Sequence, residues 1–496
     1  MMSTISKLTL RTACFVVFLL CIVLSFNVRA DEKTNVLFIT ADDLNTALSG
    51  FGHPQCKTPN LDKLASHGVT FIRAYCQFPL CGPSRASIFS GQYPVKNGVM
   101  TLRKPLKQDT LTLPRYFKEE GYWTARVSKL YHMDVPGAIL RGDDGTDHYP
   151  SWTERFNSRA METLTPGSYV RNHVLPNTIE SYPEWRDKWH NNWVPGDVKK
   201  IPGGHLWVTV EANGDRRLLP DDQSADKAIE LLRKRAEDKK PFFLGVGFVR
   251  PHYPFVAPVS DFDAYIAAEM TLPQVPDNHF EGIPSQAQGK DLKIDDAERR
   301  SIRRSYYACI SYMDRQVGRV LDELDKLGLR ENTIVVFLSD HGYLLGEHKL
   351  WKKNRLWEES VRSPLIISAP GMKLKGVQYD QPVELLDVYP TVLELAGLKP
   401  LEHLQGYSLA KLLTDPEAQT QRKDAYSMIR NGHLLRSEKW AYMWYPKLKK
   451  LPEGFMLYDM EKDPEQHSNL ANNPEFKNIK EKLHTRLMQR IEYSKN

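Results

Sequence analysis

The feature that most constrains the fold is an alternation between strand-length apolar runs and amphipathic helical stretches. Apolar runs cover residues 35–40, 241–249 and 332–338, and helical patterns at 222–239 and 296–327 come shortly before the second and third of them. Strands that are apolar along their whole length lie in parallel sheets whose two faces are covered by helices. The sequence therefore predicts an α/β domain with a large mixed, mostly parallel central sheet flanked by helices.

The first thirty residues form a separate segment. Lys7 and Arg11 precede an unbroken apolar run at 13–26, and Ala30 completes a small-residue cleavage site. Fourteen apolar residues are short for a membrane span, so we predict a cleaved signal peptide over 1–30 and no stable membrane insertion afterwards. A retained N-terminal anchor is the alternative. The sequence has no Asn-x-Ser/Thr glycosylation site, which favours a bacterial periplasmic or extracellular location over a eukaryotic secretory one.

The rest of the chain divides by composition. We predict a main domain over 31–415, within which 134–220 is a loop-rich insertion with abundant Pro, Gly and Trp and little periodicity. Short strand-like pieces followed by a terminal helix predict a small α+β subdomain with an antiparallel sheet over 416–496.

Charge and cysteine content exclude several classes of protein. The formal net charge is only +6, and three of the basic residues lie in 1–30, which argues against a nucleic-acid partner. Four cysteines follow residue 30, too few for a disulfide scaffold: Cys56, Cys76, Cys81 and Cys309. Cys56 and Cys76 could form one disulfide or remain two buried thiols, and the sequence leaves both open.

Acidic side chains follow two of the predicted strands. Asp42 and Asp43 come directly after the first apolar run, and Asp340 and His341 come shortly after the third. Because the carboxyl ends of parallel strands lie at one edge of a sheet, these groups are expected to meet there. Clustered carboxylates suit Ca²⁺ or Mg²⁺, although aspartates after strands also cap helices.

Basic side chains follow the same strand ends. They are Lys129, His132, His252, Lys349, Lys352, Lys353 and Arg355. Several cationic loops beside a metal site suit an anionic tetrahedral group, whereas each residue alone could be an ordinary surface charge.

Cys81 opens a predicted helix, written CGPSRASIFSG from residue 81 to residue 91. A cysteine at a helix N-terminus is expected to be exposed and to have a depressed pKa, as a nucleophilic thiol requires. A thiol is nevertheless a poor group for cleaving sulfate or phosphate monoesters that have an alkoxide leaving group. The position therefore needs another explanation.

The run Cys81-Gly-Pro-Ser-Arg85, followed by Phe89-Ser-Gly91, resembles the signature of the type I sulfatases. The resemblance extends from residue 35 to the C-terminal segment and implies an alkaline-phosphatase-like fold. It also implies that Cys81 is converted to Cα-formylglycine (3-oxoalanine), by a formylglycine-generating enzyme or a bacterial maturase. The hydrate of that aldehyde would provide two hydroxyls, one to attack sulfur and one to expel sulfate.

Within the family the chain is most similar to iduronate-2-sulfatase-like members. The three-residue spacing of Lys129 and His132, the RPHYPF run at 250–255 and the SDHG…LGEH…W.K run at 339–353 carry this similarity. One departure is Ser128, where the family usually has Gly. We expect it to alter a turn more than the chemistry.

The resemblance assigns roles to the site residues. The implied Ca²⁺ ligands are Asp42, Asp43, residue 81, Asp340 and His341. Arg85, Lys129 and Lys353 would stabilise charge on the sulfate oxygens, with Asp340 as the base. His252 would protonate the departing sugar oxygen, and His132 would accept a proton when sulfate is expelled.

The substrate is expected to be a sulfated saccharide, best a 2-O-sulfated uronic acid such as iduronate 2-sulfate, or a related algal or host polysaccharide. Lys349, Lys352 and Arg355 could pair with its carboxylate. The alternatives are a phosphomonoester or phosphonate-monoester hydrolase on the same scaffold, and a non-catalytic glycan-binding protein that keeps the Cys81 thiol.

Overall fold

Apolar strands lie side by side in an eight-stranded sheet that organises most of the molecule. The structure is a computed structural model and describes residues 33–172, 179–181, 207–289, 294–415 and 417–496. These residues, from Asn35 onward, belong to one compact unit. The predicted signal peptide lies outside the described residues.

The strands, in chain order, are β1 Asn35–Asp42, β2 Val69–Phe71, β3 Ala74–Tyr75, β4 Trp123–Ser128, β5 Glu154–Phe156, β6 Gly167–Asn172, β7 Ile179–Ser181, β8 Trp207–Ala212, β9 Phe242–Pro251, β10 Phe255–Pro258, β11 Thr333–Ser339, β12 Leu344–Leu345, β13 Trp351–Lys352, β14 Arg362–Ser363, β15 Leu365–Ser368, β16 Val377–Tyr379, β17 Val383–Glu384, β18 Asp424–Ile429, β19 Gly432–Ser437, β20 Trp440–Tyr445 and β21 Gly454–Asp459.

The α-helices are α1 Pro59–Ser66, α2 Cys81–Ser90, α3 Pro94–Asn97, α4 Leu113–Glu119, α5 Gly137–Arg141, α6 Pro220–Asp238, α7 Val259–Phe262, α8 Asp296–Lys326, α9 Glu358–Val361, α10 Val388–Leu395 and α11 Lys477–Tyr493. No described helix is both long enough and apolar enough to cross a bilayer.

The central sheet is mixed and mostly parallel, as predicted. Its strand order is β16-β2-β15-β11-β1-β9-β4-β5. Strands β11, β1, β9, β4 and β5 pair in parallel, whereas β15 is antiparallel to both of its neighbours. The carboxyl ends of β11, β1, β9 and β4 therefore share one edge of the sheet.

Alternate residues of β1 enter two different hydrophobic cores. Val36 and Phe38 pack into one core, while Leu37 and Ile39 pack into the core on the opposite face. Every residue of β1 is buried, which explains the uninterrupted apolar run in the sequence. Helices α6 and α8 cover the second face, as the sequence predicted.

The C-terminal segment forms the expected antiparallel sheet, in the order β18-β19-β20-β21, with α11 packed against it. Its apolar residues, such as Tyr426, Leu435 and Leu457, belong to the same core as Phe38 of the central sheet. The expected alkaline-phosphatase-like arrangement is therefore confirmed. The boundary at residue 415 stays a prediction.

The insertion at 134–220 has more regular structure than its composition indicated. β5 extends the central sheet, and β6, β7 and β8 form a second sheet with β10. The four cysteines among the described residues are all free and buried. Cys56 and Cys76 lie in different cores, which decides between the two alternatives in favour of separate thiols.

Candidate active site

The predicted acidic residues meet at the edge of the central sheet. Ala41 of β1 pairs with Ser339 of β11, so the residues that follow each strand are neighbours. The Asp43 amide donates a hydrogen bond to Asp340 Oδ1 at 3.2 Å, and the amide of His341 donates to the same oxygen at 3.1 Å. Asp42, Asp43, Asp340 and His341 are fully buried.

Two further strands bring basic groups to this edge. Lys129 follows β4, and its ammonium group donates to Asp42 Oδ2. A Cβ atom at Gly247 of β9 would lie 2.1 Å from the Lys129 carbonyl oxygen, so only glycine permits this close approach. His252, just after β9, places Nε2 3.6 Å from Asp43 Oδ2.

The Cys81 sulfur lies at the centre of these groups, because α2 begins at this edge. Its Sγ atom is 3.1 Å from Lys353 Nζ, 3.3 Å from His341 Nε2 and 3.6 Å from Asp43 Oδ1. Lys353 also donates to Asp43 Oδ1. The structure thus brings the signature cysteine, the acidic residues and the predicted lysines into one cluster.

The expectation of an exposed, acidic thiol at Cys81 is wrong. Only 1% of its surface is exposed, and burial together with the nearby Asp42 carboxylate raises its pKa well above the usual value despite Lys353. The favourable helix N-terminus cannot offset three carboxylates in a desolvated site. Burial and the surrounding carboxylates therefore disfavour the thiolate form of an unmodified Cys81.

Arg85 lies one turn along α2 and holds two of the acidic residues in place. Its guanidinium donates to Asp340 Oδ2 at 2.9 Å and to Asp42 Oδ1 at 3.1 Å. The remaining N–H groups donate to carbonyl oxygens, including those of Lys129 at 2.7 Å and Leu130 at 3.0 Å. Arg85 therefore joins the ends of β1, β4 and β11.

The donor set fits a bound cation. Asp43 Oδ2 is buried without a hydrogen-bond partner, and burial raises the pKa of Asp43 despite the ammonium of Lys353. His341 Nδ1 lies 2.8 Å from the Gly342 carbonyl, so in the neutral ring the Nε2 lone pair faces Asp43 Oδ1 at 3.4 Å. A cation bound between these atoms would be held by both acceptors and would also satisfy Asp43 Oδ2.

Potential ligand atoms converge in two overlapping groups that share the Cys81 sulfur. One group is Asp42, Asp43, Cys81 and His252, and the other is Cys81, Asp340 and His341. Together they contain every predicted calcium ligand and add His252. Three carboxylates form a hard oxygen-donor set of the kind that Ca²⁺ prefers.

The two other predicted histidines differ in surroundings. Burial, reinforced by Lys353, lowers the pKa of His252 well below its usual value. Burial also lowers the pKa of His132, whose Nε2 lies 3.2 Å from Asp134 Oδ1. That hydrogen bond lowers the pKa of Asp134 to about 2. Asp134 was missed in the sequence, although its position two residues after His132 was a usable signal.

Tyr306 is a second residue that sequence patterns did not indicate. Its hydroxyl donates to the Asp43 carbonyl at 2.6 Å and accepts from the Asn45 amide at 2.9 Å. It comes from α8, more than 250 residues away in the chain, so no local motif could have revealed it. Tyr306 fixes the backbone that presents the acidic pair.

The three tentative substrate-binding residues do not share one location. Lys352 lies over the Tyr253 ring at 4.7 Å, and burial together with Lys353 lowers its pKa to about 8. Lys349 instead donates to the Asp277 carbonyl at 3.2 Å, and Arg355 donates to the Asn354 carbonyl at 3.0 Å. Only Lys352 has contacts that connect it with the site.

Left-handed backbone conformations cluster around the site. The φ angles of Asp43, Ser128 and Lys352 are 63°, 57° and 73°. Such angles are costly for residues other than glycine and occur where surrounding contacts enforce them. Ser128 therefore occupies a glycine-type turn, which agrees with the departure noted in the sequence.

Comparison with known proteins agrees with this geometry. The "Sulfatase" family profile matches residues 34–398, and a profile of the N-sulphoglucosamine sulphohydrolase C-terminal region matches 346–493. A "Sulfatase" of Formosa agariphila is 32% identical over 477 residues, covering 91% of this chain and 86% of that protein. The mouse (Mus musculus) "Iduronate 2-sulfatase" is 33% identical over 419 residues, covering 74% of this chain and 70% of that protein.

Among solved structures, a phosphonate monoester hydrolase of Agrobacterium radiobacter superposes with a TM-score of 0.71. It is 23% identical, and the match covers 93% of this chain and 96% of that one, which shows a shared fold. The profile match across the central sheet and the close sequence relatives decide the family. The chain belongs to the sulfatase family.

Proposed function

We propose that this sulfatase hydrolyses sulfate esters of a sulfated saccharide, with a 2-O-sulfated uronic acid as the preferred residue. The observation that carries the proposal is the position of the Cys81 sulfur, which lies within 3.1–3.6 Å of Lys353, His341 and Asp43. A reacting group at this position would be surrounded by a cation site and by basic side chains, as transfer of an anionic group requires.

Two groups complete the proposed site. Asp42, Asp43, Asp340, His341 and residue 81 would hold Ca²⁺, which supplies positive charge that activates a hydroxyl and draws electron density from sulfate oxygens. Cα-formylglycine at residue 81 would supply a hydrated aldehyde in place of a thiol whose pKa is raised by burial. A formylglycine-generating enzyme or a bacterial maturase would be the partner that modifies Cys81.

The lysines recognise the anionic group in this proposal. The ammonium group of Lys129 donates to Asp42, and that of Lys353 donates to Asp43. An ammonium group can turn from a carboxylate to a sulfate oxygen, because its three donors rotate freely. Arg85 keeps Asp42 and Asp340 in position while this happens, and Asp340 is the proposed base.

His252 is suited to protonate the leaving sugar oxygen. Its Nδ1 lies against the Tyr253 carbonyl, so that nitrogen keeps its hydrogen and Nε2 exchanges the proton. The lowered pKa of His252 leaves Nε2 neutral until an anion arrives. An anionic substrate would raise the pKa of His252, so that Nε2 takes up the proton that it later transfers to the sugar oxygen. His132, with Asp134 behind it, is the proposed acceptor when sulfate departs.

Several features support a uronic acid as the sulfated sugar. The relatives of this chain include an iduronate 2-sulfatase. Lys352 lies beside Lys353 and has contacts near the site, so a sugar carboxylate bound there would lie close to a second positive charge. Lys349 and Arg355 have no such support. Export through the segment 1–30 also belongs to this proposal, because an exported enzyme meets extracellular polysaccharides.

The first experiment is the mass of the tryptic peptide that contains residue 81, from protein purified from its own host. Trypsin should release residues 74–85. Conversion of the thiol to the aldehyde lowers the mass by roughly 18 Da. An intact, alkylatable Cys81 would remove the catalytic account and favour a glycan-binding role.

The second experiment measures inorganic sulfate released from monosaccharides and oligosaccharides sulfated at known positions. The same ring positions carrying phosphate serve as the control, because this fold also occurs in phosphonate monoester hydrolases. We expect kcat/KM to be at least about 10²-fold higher for the sulfate ester. A preference for the phosphate ester would reassign the enzyme, and a preference for another sulfated position would replace the uronic acid.

A further inference from the structure

A cavity of about 560 Å³ lies beside the candidate active site. His132 and Asp134 contribute to its lining, together with Arg103, Thr146 and Tyr149. His132 follows Lys129 by three residues, and Lys129 pairs with the proposed calcium ligand Asp42. The cavity therefore adjoins His132, the proposed proton acceptor, and its volume lies in the range of small-molecule sites.

The loop that carries Tyr149 is fixed to His132. The amide of Thr146 donates to the His132 carbonyl at 2.8 Å. A Cβ atom at Gly145 would lie 2.2 Å from that same carbonyl oxygen, and its φ of +63° also favours glycine. The Tyr149 amide donates to Gln108 Oε1 at 3.1 Å. These contacts set the position of Tyr149 relative to the catalytic histidine.

Buried ion pairs and hydrogen bonds also hold this loop in place. Arg126, only 1% exposed, donates to Asp144 at 2.7 Å and to Asp147 at 2.9 Å. The indole of Trp152 donates to Asp147 at 2.9 Å. A side chain on such a fixed loop is already ordered, so little conformational entropy is lost when a ligand binds to it.

Tyr149 itself is 50% exposed, which is unusual for a ring on a well-ordered loop. The Arg155 guanidinium lies 4.5 Å from the ring centroid and covers one face. Tyr149 also lines the cavity, where its exposed ring surface can meet a ligand. The flat C–H face of a sugar ring complements an aromatic face, because the C–H groups carry partial positive charge.

We propose that Tyr149 is a stacking platform for the sugar ring next to the sulfated residue, so that the enzyme prefers oligosaccharides to monosaccharides. This inference rests on the proposed function and specifies its substrate. Arg103 belongs to the same subsite: its side chain is 77% exposed and lies 3.0 Å from Asp134. It can donate to an acidic group on the neighbouring ring.

The test compares Tyr149→Ala and Tyr149→Phe with the unsubstituted enzyme on two substrates that carry the same sulfate ester. One substrate is the monosaccharide that the enzyme hydrolyses, and the other is an oligosaccharide that contains it. We expect Tyr149→Ala to lower kcat/KM for the oligosaccharide about tenfold and leave the monosaccharide unchanged. Tyr149→Phe keeps the ring and should stay within about twofold for both.

Ile266→Ala is the control, because Ile266 is 59% exposed and does not line this cavity. The inference would be overturned if Tyr149→Ala lowered kcat/KM equally for both substrates, or for neither of them. Arg103→Ala should lower kcat/KM only for oligosaccharides with an acidic neighbouring ring.

A binding measurement distinguishes a wrong subsite from a wrong assignment of the sulfatase reaction. The affinity of the oligosaccharide for the Cys81→Ala protein is measured by calorimetry, with and without Tyr149→Ala. A tenfold loss of affinity in the absence of any turnover by the unsubstituted enzyme would support the subsite and refute the sulfatase reaction on that glycan. Identical affinities would refute the subsite even if turnover is normal.

Discussion

Two buried clusters of charge in this molecule are paired in different ways. In the candidate active site, Lys129 and Lys353 each give one ammonium group to Asp42 and Asp43, and Asp43 Oδ2 has no hydrogen-bond partner. At the junction with the C-terminal sheet, two arginines meet Glu384 and Asp387. Arg422 contacts Asp387 at 2.5 Å and Glu384 at 2.8 Å, and Arg490 contacts Glu384 at 2.5 Å.

The partners of the second cluster are fixed and those of the first can change. Glu384 and Asp387 form a capping box, and Glu384 also accepts from the Tyr93 hydroxyl at 2.5 Å. Guanidinium groups bind carboxylates through two parallel hydrogen bonds and hold one geometry, whereas an ammonium is a point charge that turns easily. The active site also contains an arginine, Arg85, which fixes Asp42 and Asp340, but only this cluster has lysines that can turn towards an anion. At Glu384 and Asp387 both cations are arginines, which suits a cluster that joins two parts of the fold.

The largest effect is expected at Asp43. Asp43→Asn removes a proposed calcium ligand and should lower kcat/KM for sulfate release at least about 10³-fold. The thermal midpoint of the apo protein should change little, because relief of a buried carboxylate whose pKa is raised by burial offsets the loss of its ion pair with Lys353. Sulfate release and circular dichroism melting measure the two effects.

Calcium provides the control for that substitution. Addition of Ca²⁺ at about 100 times Kd should stabilise the unsubstituted protein by about 3 kcal/mol and should not stabilise Asp43→Asn. Asp215→Asn, at an exposed ion pair with Arg217, should behave like the unsubstituted protein in both assays. A fully active Asp43→Asn protein would contradict the proposed metal site.

The opposite pattern is expected at the second cluster. Arg422→Met leaves two buried carboxylates without their shared partner and should cost about 3–5 kcal/mol of unfolding free energy. Activity per folded molecule should be unchanged, since Arg422 has no contact with the active site. Urea denaturation and sulfate release at low temperature test this.

Arg217→Met is the matched control, because the Arg217 side chain is 82% exposed and solvent screens its ion pair, so its loss should leave the unfolding free energy nearly unchanged. Equal stability of the two variants would mean that the arginine pairing at Glu384 and Asp387 does not hold the C-terminal sheet in place.

Acid should weaken the C-terminal sheet through His433. Burial, with a smaller effect of Lys495, lowers the pKa of His433 to about 4, below the value near 6.5 of an unfolded chain. The unfolded state then binds the proton more readily, so stability is retained above about pH 6.5 and lost as pH falls towards 4. This residue contributes up to about 3 kcal/mol of that loss.

The readout is the change in denaturation midpoint between pH 7 and pH 5. His433→Gln should show a smaller change than the unsubstituted protein, whatever its stability at pH 7. His433 lies between the rings of Tyr426 and Trp444, so some loss at pH 7 is expected. A pH dependence identical to that of the unsubstituted chain would exclude His433 as a contributor.

The smallest effect is expected at Ser128. Ser128→Gly removes a side chain from a left-handed position but makes the unfolded chain more flexible. The two effects oppose each other, so the unfolding free energy should change by no more than about 1 kcal/mol and activity by less than twofold. A large loss of activity would show that the Ser128 hydroxyl takes part in the chemistry.

The metal and lysine part of the site could be predicted because it depends on strand ends. Apolar runs located β1 and β11, and a parallel sheet places their carboxyl ends at one edge, so Asp42 and Asp340 were expected at that edge. The observed pairing of β1 with β11 makes them neighbours. The signature around Cys81 then identified what the cluster surrounds. The helix α8, predicted at 296–327, ends within one residue of its observed bound.

Properties that depend on tertiary contacts could not be predicted. The pKa of Cys81 follows from desolvation and from carboxylates on other elements, so the helix N-terminus alone gave the wrong direction. Tyr306 reaches Asp43 from a distant helix, and Arg422 meets Glu384 only once the C-terminal sheet has packed. The strands β5 to β8 lacked clear periodicity, so composition alone suggested loops.

The shared core of the two sheets has a consequence for the order of events during synthesis. Leu435 and Leu457 pack into the same core as Phe38, so this core cannot be completed before the C-terminal sheet, which begins at Asp424, has been synthesised. Cys81 is 1% exposed once folding is complete. The enzyme that we propose to modify Cys81 must therefore act before folding is complete, and the late synthesis of the C-terminal sheet lengthens the time in which it can do so.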